Sequence, residues 1–99
     1  MRMVEKMIER LKEEVDGAKE YAEKYIECKS RGNISRASRY KEMAEDELKH
    51  AGFIRDMGMS DIEELRKIYK MTDSEEELIE HSHKHINEQM AIVRYMLAM

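Results

Sequence analysis

The chain has no proline and no tryptophan, one cysteine (Cys28), four glycines and 6% aromatic residues in 99 positions. Each scarcity excludes something. Without proline, nothing breaks the long amphipathic stretches by steric force. A single cysteine permits neither an internal disulfide nor a four-cysteine metal site. Apolar residues make up 41% of the chain, but no run approaches the roughly 20 needed to span a bilayer, so no membrane partner is expected. The N-terminal stretch MRMVEKMIERLKEEV is charged throughout and lacks the apolar core of a signal peptide. A cytoplasmic location is the corresponding expectation. The net charge of -4 is well mixed, and no basic stripe suggests a nucleic-acid partner. Neither a glycine-rich phosphate loop nor a nucleophile–base arrangement for hydrolysis is visible.

What is present is charge and helical periodicity. Charged residues are 40% of the chain, a composition that suits soluble amphipathic helices rather than sheet or disorder. The length bounds a single all-α domain over residues 1–99 with a limited core, one that dimerisation or a bound metal would support. The ten methionines read as gap-fillers in helical cores.

Four helices are expected. The first covers about residues 3–30, with Val4, Met7, Leu11, Glu14, Ala18, Tyr21, Tyr25 and Cys28 at heptad spacing. Gly32 caps it. The second covers about 34–57, with a seam of Ala37, Tyr40, Ala44, Glu47, Ala51 and Ile54, and Gly58 reads as its stop. Ser60 or Asp61 then opens a short helix from Ile62 to about Met71. Ser74 and Glu77 fit a capping box for a long C-terminal helix.

Both long seams carry one glutamate where a hydrophobe belongs. Glu14 and Glu47 each fall within roughly 50° of the centre of an apolar face. An ionised carboxylate buried there costs several kcal/mol unless a cation compensates it. His50 stands three residues after Glu47, on a neighbouring face of the same turn. If the two helices form an antiparallel hairpin, Glu14, Glu47 and His50 meet at one level, as half of a carboxylate-bridged dinuclear metal site. The plainer readings stay open: a protonated or water-bridged glutamate, a buried ion pair, or a seam edge open to solvent.

Residues 14–51 resemble the first helical hairpin of rubrerythrin-type, ferritin-like proteins. The pattern is a glutamate, an aromatic two turns later, a glycine-containing turn, and a small-residue-rich helix ending in Ala-x-x-Glu-x-x-His-Ala. Glu14, Tyr21, Gly32, Ala44, Glu47, His50 and Ala51 supply it. The resemblance covers about 40 of the 99 residues and implies a ferritin-like antiparallel helical bundle. It implies further that Glu14 is a metal ligand, Glu47 a bridging carboxylate, His50 a terminal nitrogen ligand and Tyr21 an aromatic beside the site. The cofactor implied is iron or manganese, dinuclear, serving ferroxidase, peroxide-reducing or iron-handling chemistry. With no rubredoxin-like domain here, electrons for peroxide reduction must come from a partner protein.

The second half departs from that pattern. Glu80 and His83 are the candidate second Glu-x-x-His, but Glu80 lies about 130° from the centre of the stripe formed by Leu78, Ile79, Ile86, Met90, Val93, Met96 and Leu97. His81 and His85, four apart, share a side of the helix with Glu77 and Glu88 and form a pair able to take zinc or nickel at a surface. If the last helix supplies no second half-site, a twofold homodimer of hairpins completes a four-helix bundle with two copies of Glu14, Glu47 and His50 at its axis. The contrasting expectation is a metal-free helical interaction or adaptor module, a degenerate relic of the same fold.

Overall fold

The computed structural model describes residues 2–99, which form three helices: α1 (Arg2–Ser30), α2 (Ile34–Ile68) and α3 (Asp73–Ala98). The chain is all-helical, as expected. The α1–α2 turn is closed by a pair of 6→1 and 5→2 hydrogen bonds: Asn33 N–H donates to the Cys28 carbonyl at 2.9 Å, and Gly32 N–H to that of Lys29 at 3.1 Å. Gly32 carries the positive φ of 77° that this motif requires. Asn33 then caps the next helix, its side-chain oxygen accepting from Arg36 N–H at 3.2 Å. One asparagine thus ends α1 and starts α2, forcing the two into an antiparallel hairpin.

The second helix runs on through the expected stop. Gly58 is buried inside α2, and the Met7 thioether packs where its side chain would stand. Expected starts at Ser60 or Asp61 are interior positions of the same helix, so there is no separate short helix over 62–71. Competing energies explain this. A mid-helix glycine costs about 1 kcal/mol relative to alanine. Continuing the helix buries Ile62, 1% exposed, against Val4, Met71 and Ile79, and a fully buried isoleucine gains about 1.5–3 kcal/mol.

The last helix is capped one pair earlier than Ser74 and Glu77 suggest. Thr72 Oγ1 accepts from Glu75 N–H at 3.2 Å, and Glu75 Oε1 accepts from Thr72 N–H at 2.9 Å. That start leaves Met71, 8% exposed, tucked into the Ile62 cluster. Glu75 is held below the ordinary carboxylate range, first by the Thr72 backbone N–H. Thr72→Ala removes the hydroxyl half of the box and should lower stability by about 1 kcal/mol, read as a shift in urea midpoint at unchanged slope.

The main core gathers Leu11, Val15, Ala18, Ala22 and Tyr25 from α1, Ala37, Ala44, Leu48 and Ala51 from α2, and Ile86, Met90, Val93 and Leu97 from α3. Ala18, Ala22, Ala44 and Ala51 have no exposed surface, so the paired backbones approach closely. The third helix rotates the buried stripe away from the expected seams. Val15 and Ala22 turn inward, while Met7, Glu14, Tyr21, Tyr40, Glu47 and Ile54 are left half-buried along one edge. In α3, Leu78 is exposed and Met96 half-buried, narrowing the stripe to Ile79, Ile86, Met90, Val93 and Leu97.

The molecule is a rod of 55 × 18 × 18 Å with a radius of gyration of 16.1 Å, against about 13 Å for a compact domain of this length. Its accessible surface is 6956 Å², where a folded monomer of this mass exposes about 5,900 Å². Roughly 1,000 Å² is therefore in excess of what compact folding leaves. Among the described residues, no helix is long and apolar enough to cross a membrane.

Candidate metal centre

The hairpin has two sides, and α3 covers one. Grooves flanking α3 involve Ile8 and Lys12 of α1 on one hand and Leu48 and Lys49 of α2 on the other. Among the described residues, no third helix lies over the opposite side. Its groove, about 350 Å³, is lined only by α1 and α2, with Met3, Met7, Phe53, Ile54 and Met57 among its residues.

Glu14, Glu47 and His50 lie on this open side. One ligating atom from each falls within 4.8 Å of the others, the only such group of three or more among the described residues. His50 Nδ1 is 3.8 Å from Glu14 Oε2, too long for a hydrogen bond. The Glu14 side chain is 24% exposed and that of His50 64%. The two glutamates are therefore half-buried seam-edge groups, one of the readings their spacing leaves open. Oxygen and nitrogen ligands stand about 2.0–2.2 Å from a bound transition metal. Side-chain rotations of about 1 Å would bring the three groups to that distance, and their exposure leaves them free to make those rotations.

Charge sets the protonation of Glu47. Glu47 is raised above its ordinary carboxylate value, first by a side-chain hydrogen bond with Glu14, then by burial and by repulsion from the Glu14 charge. His50 opposes this weakly. The two carboxyl groups are close enough to hold one proton between them. In metal-free protein the native state keeps a proton that the unfolded chain, titrating at the usual 4.5, releases. The native state then binds more protons from 4.5 up to the raised value. This contribution is full below 4.5 and is lost as pH rises through the raised value. Urea midpoints taken from about pH 7 down to about pH 5 should show a stabilisation in the native sequence that Glu47→Gln lacks.

Aromatic and small residues frame the three groups. Tyr21 and Tyr40 stack at 6.3 Å between ring centroids, with planes 25° apart, and Lys24 Nζ lies 5.7 Å from the Tyr40 ring. Tyr21 follows Glu14 by seven residues and Tyr40 precedes Glu47 by seven, so this stack is the next layer of the same antiparallel register. Gly17 lies against the Glu47 carboxylate, whose Oε2 is 3.5 Å from where a Gly17 Cβ would be.

The other histidines are elsewhere. Glu80 is exposed and His83 half-buried. They line an α2–α3 groove with Met59, Arg66, Glu76 and Ile79. No third ligating group gathers with them among the described residues, and they lie on a different element from the Glu14 cluster. His81 and His85 are exposed, beside Ile8 and Lys12 of α1. Sequence reasoning missed Gly17 and the exposed apolar groove. Phe53, the only phenylalanine, was its one available signal, since it stands off the α2 seam and is 67% exposed.

No protein-family model, characterised protein or solved structure matches this chain.

Proposed function

We propose that the chain is a ferritin-like metal-binding protein. In this reading Glu14, Glu47 and His50 hold a hard divalent cation, iron(II) or manganese(II), and a second copy completes a dinuclear centre. The observation that carries the proposal is the convergence of two carboxylates and one imidazole on the uncovered side of the hairpin. Oxygen donors with one nitrogen per ion suit iron and manganese better than thiophilic metals. Glu47 serves as the bridging carboxylate, Glu14 and His50 as terminal ligands. Binding displaces the proton held by the carboxyl pair, so affinity rises with pH.

One uncovered side per chain leads to the dimer. Placing two open hairpins face to face makes a four-helix bundle with four carboxylates and two imidazoles for two ions. The surface excess of roughly 1,000 Å² is comparable with the about 800 Å² per partner of a standard stable interface. Exposed Phe53, Met57 and Met3 supply its apolar part. Such a pair of ions supplies two-electron chemistry toward dioxygen or peroxide when bound. The chain itself supplies the ligands, the tyrosine layer beside them, and an apolar rim that excludes water once paired.

Metal content and solution mass, measured together on untagged protein grown with iron and manganese, test this. Two ions per dimer is the expected result. A monomer that ignores added iron(II) would overturn it and favour the metal-free adaptor reading, with the Phe53 groove as the docking face.

A further inference from the structure

A pair of histidines lies on the opposite flank of α1, in the recess between α1 and α3. His81 and His85 are four residues apart on α3, both exposed. Their rings are nearly parallel, 11° between planes, with centroids 6.5 Å apart. Neither imidazole donates or accepts a side-chain hydrogen bond among the described residues, so nothing consumes their lone pairs. Glu77, one turn before His81, and Glu88, three residues after His85, are exposed as well. Lys12 and Ser82 also line the recess, and the lysine is its one opposing charge.

We propose that His81 and His85 form a metal site separate from Glu14, Glu47 and His50: a two-nitrogen surface chelate for a borderline divalent cation, copper(II) ahead of nickel(II) and zinc(II). Residues four apart on a helix project from one face and can share an ion. Metal–nitrogen distances of about 2.0–2.1 Å require the rings somewhat closer than they stand, and both are free to rotate because they are exposed. Imidazole without thiolate suits copper, nickel and zinc, and copper(II) leads the affinity order. Water would fill the remaining positions. The chain would then sort metals by chemistry, with oxygen-rich ligation on the open side of the hairpin and nitrogen ligation on the α1–α3 side.

The test uses full-length protein carrying Glu47→Ala, so that the first site cannot contribute. Copper(II) is titrated by calorimetry in a non-chelating buffer, and the complex is examined by electron paramagnetic resonance. One copper per chain with hyperfine coupling from two nitrogens is expected. His81→Gln or His85→Gln, each added singly, should weaken binding roughly 100-fold, because the second imidazole acts at a high effective concentration. Both positions are exposed, so an unchanged helical circular dichroism signal is expected alongside. Copper affinity that survives either substitution, or a spectrum with fewer than two nitrogens, overturns the site and leaves the Glu14 proposal untouched.

Discussion

Glu47→Ala is expected to abolish metal-dependent stabilisation completely. A ligand that binds only the folded state at 1,000 times its dissociation constant stabilises by about 4 kcal/mol. For a domain of this size each kcal/mol moves the melting temperature by about 4–8 °C, so saturating manganese(II) should raise that of the native sequence by about 15 °C or more. The variant should show no shift. Glu47 is the decisive position because, as the proposed bridging group, it would serve both ions. Metal-free, the variant should be as stable as the native protein or slightly more so, since a half-buried repulsive pair is gone. Melts with and without manganese(II) measure both, and a retained shift would remove Glu47 from the site.

Ile62→Ala should do the reverse. Ile62 is 1% exposed and sits with Val4, Met71 and Ile79 in the smaller of the two cores. Truncating a buried isoleucine costs about 2–5 kcal/mol, a large part of the 5–15 kcal/mol typical of a domain. Ile62 is fifteen residues from Glu47 on the same helix, about 22 Å along its axis. Metal stoichiometry should therefore be unchanged while the urea midpoint falls sharply. Loss of metal at a concentration of urea where the helices remain intact would mean that the two regions are not separable.

These two substitutions also mark where the sequence was readable. Glu14, Glu47 and His50 could be brought together from spacing alone, because a heptad seam and a short capped turn fix the register of a hairpin. Gly32 and Asn33 announced that turn by their residue types. The course of α2 past Gly58 could not be read. A glycine followed by Ser60 and Asp61 has the local signature of a stop and restart, and what overrides it is burial of Ile62 against Val4 and Ile79, contacts far apart in sequence. The capping box was ambiguous for a simpler reason: Thr72 and Glu75 fit the pattern as well as Ser74 and Glu77 do. The depth of the glutamates stays open in the sequence, between burial and a seam edge, because a seam drawn for two helices takes no account of the third; with it in place Val15 and Ala22 are buried and Glu14 and Glu47 are half-buried. The pairing of His81 and His85 across one turn follows from their spacing of four, whereas the nearly parallel setting of their rings is a property of rotamers, which no spacing specifies.

The alanines between α1 and α2 have a consequence beyond packing. Helix axes lie about 8–10 Å apart according to the side chains between them, and four fully buried side chains no larger than a methyl group favour the narrow end of that range. Glu14 and Glu47 are anchored on those two backbones, so in the proposed site the methyl groups would set the span across which the two side chains reach an ion. Ions that take oxygen at about 2.0–2.2 Å suit a narrow gauge. Calcium, which takes six to eight oxygens at about 2.3–2.6 Å, would find too few of them in the two carboxylates of one hairpin. On the proposed function, selectivity against larger ions would then rest in part on Ala18, Ala22, Ala44 and Ala51, side chains that would never touch the ion.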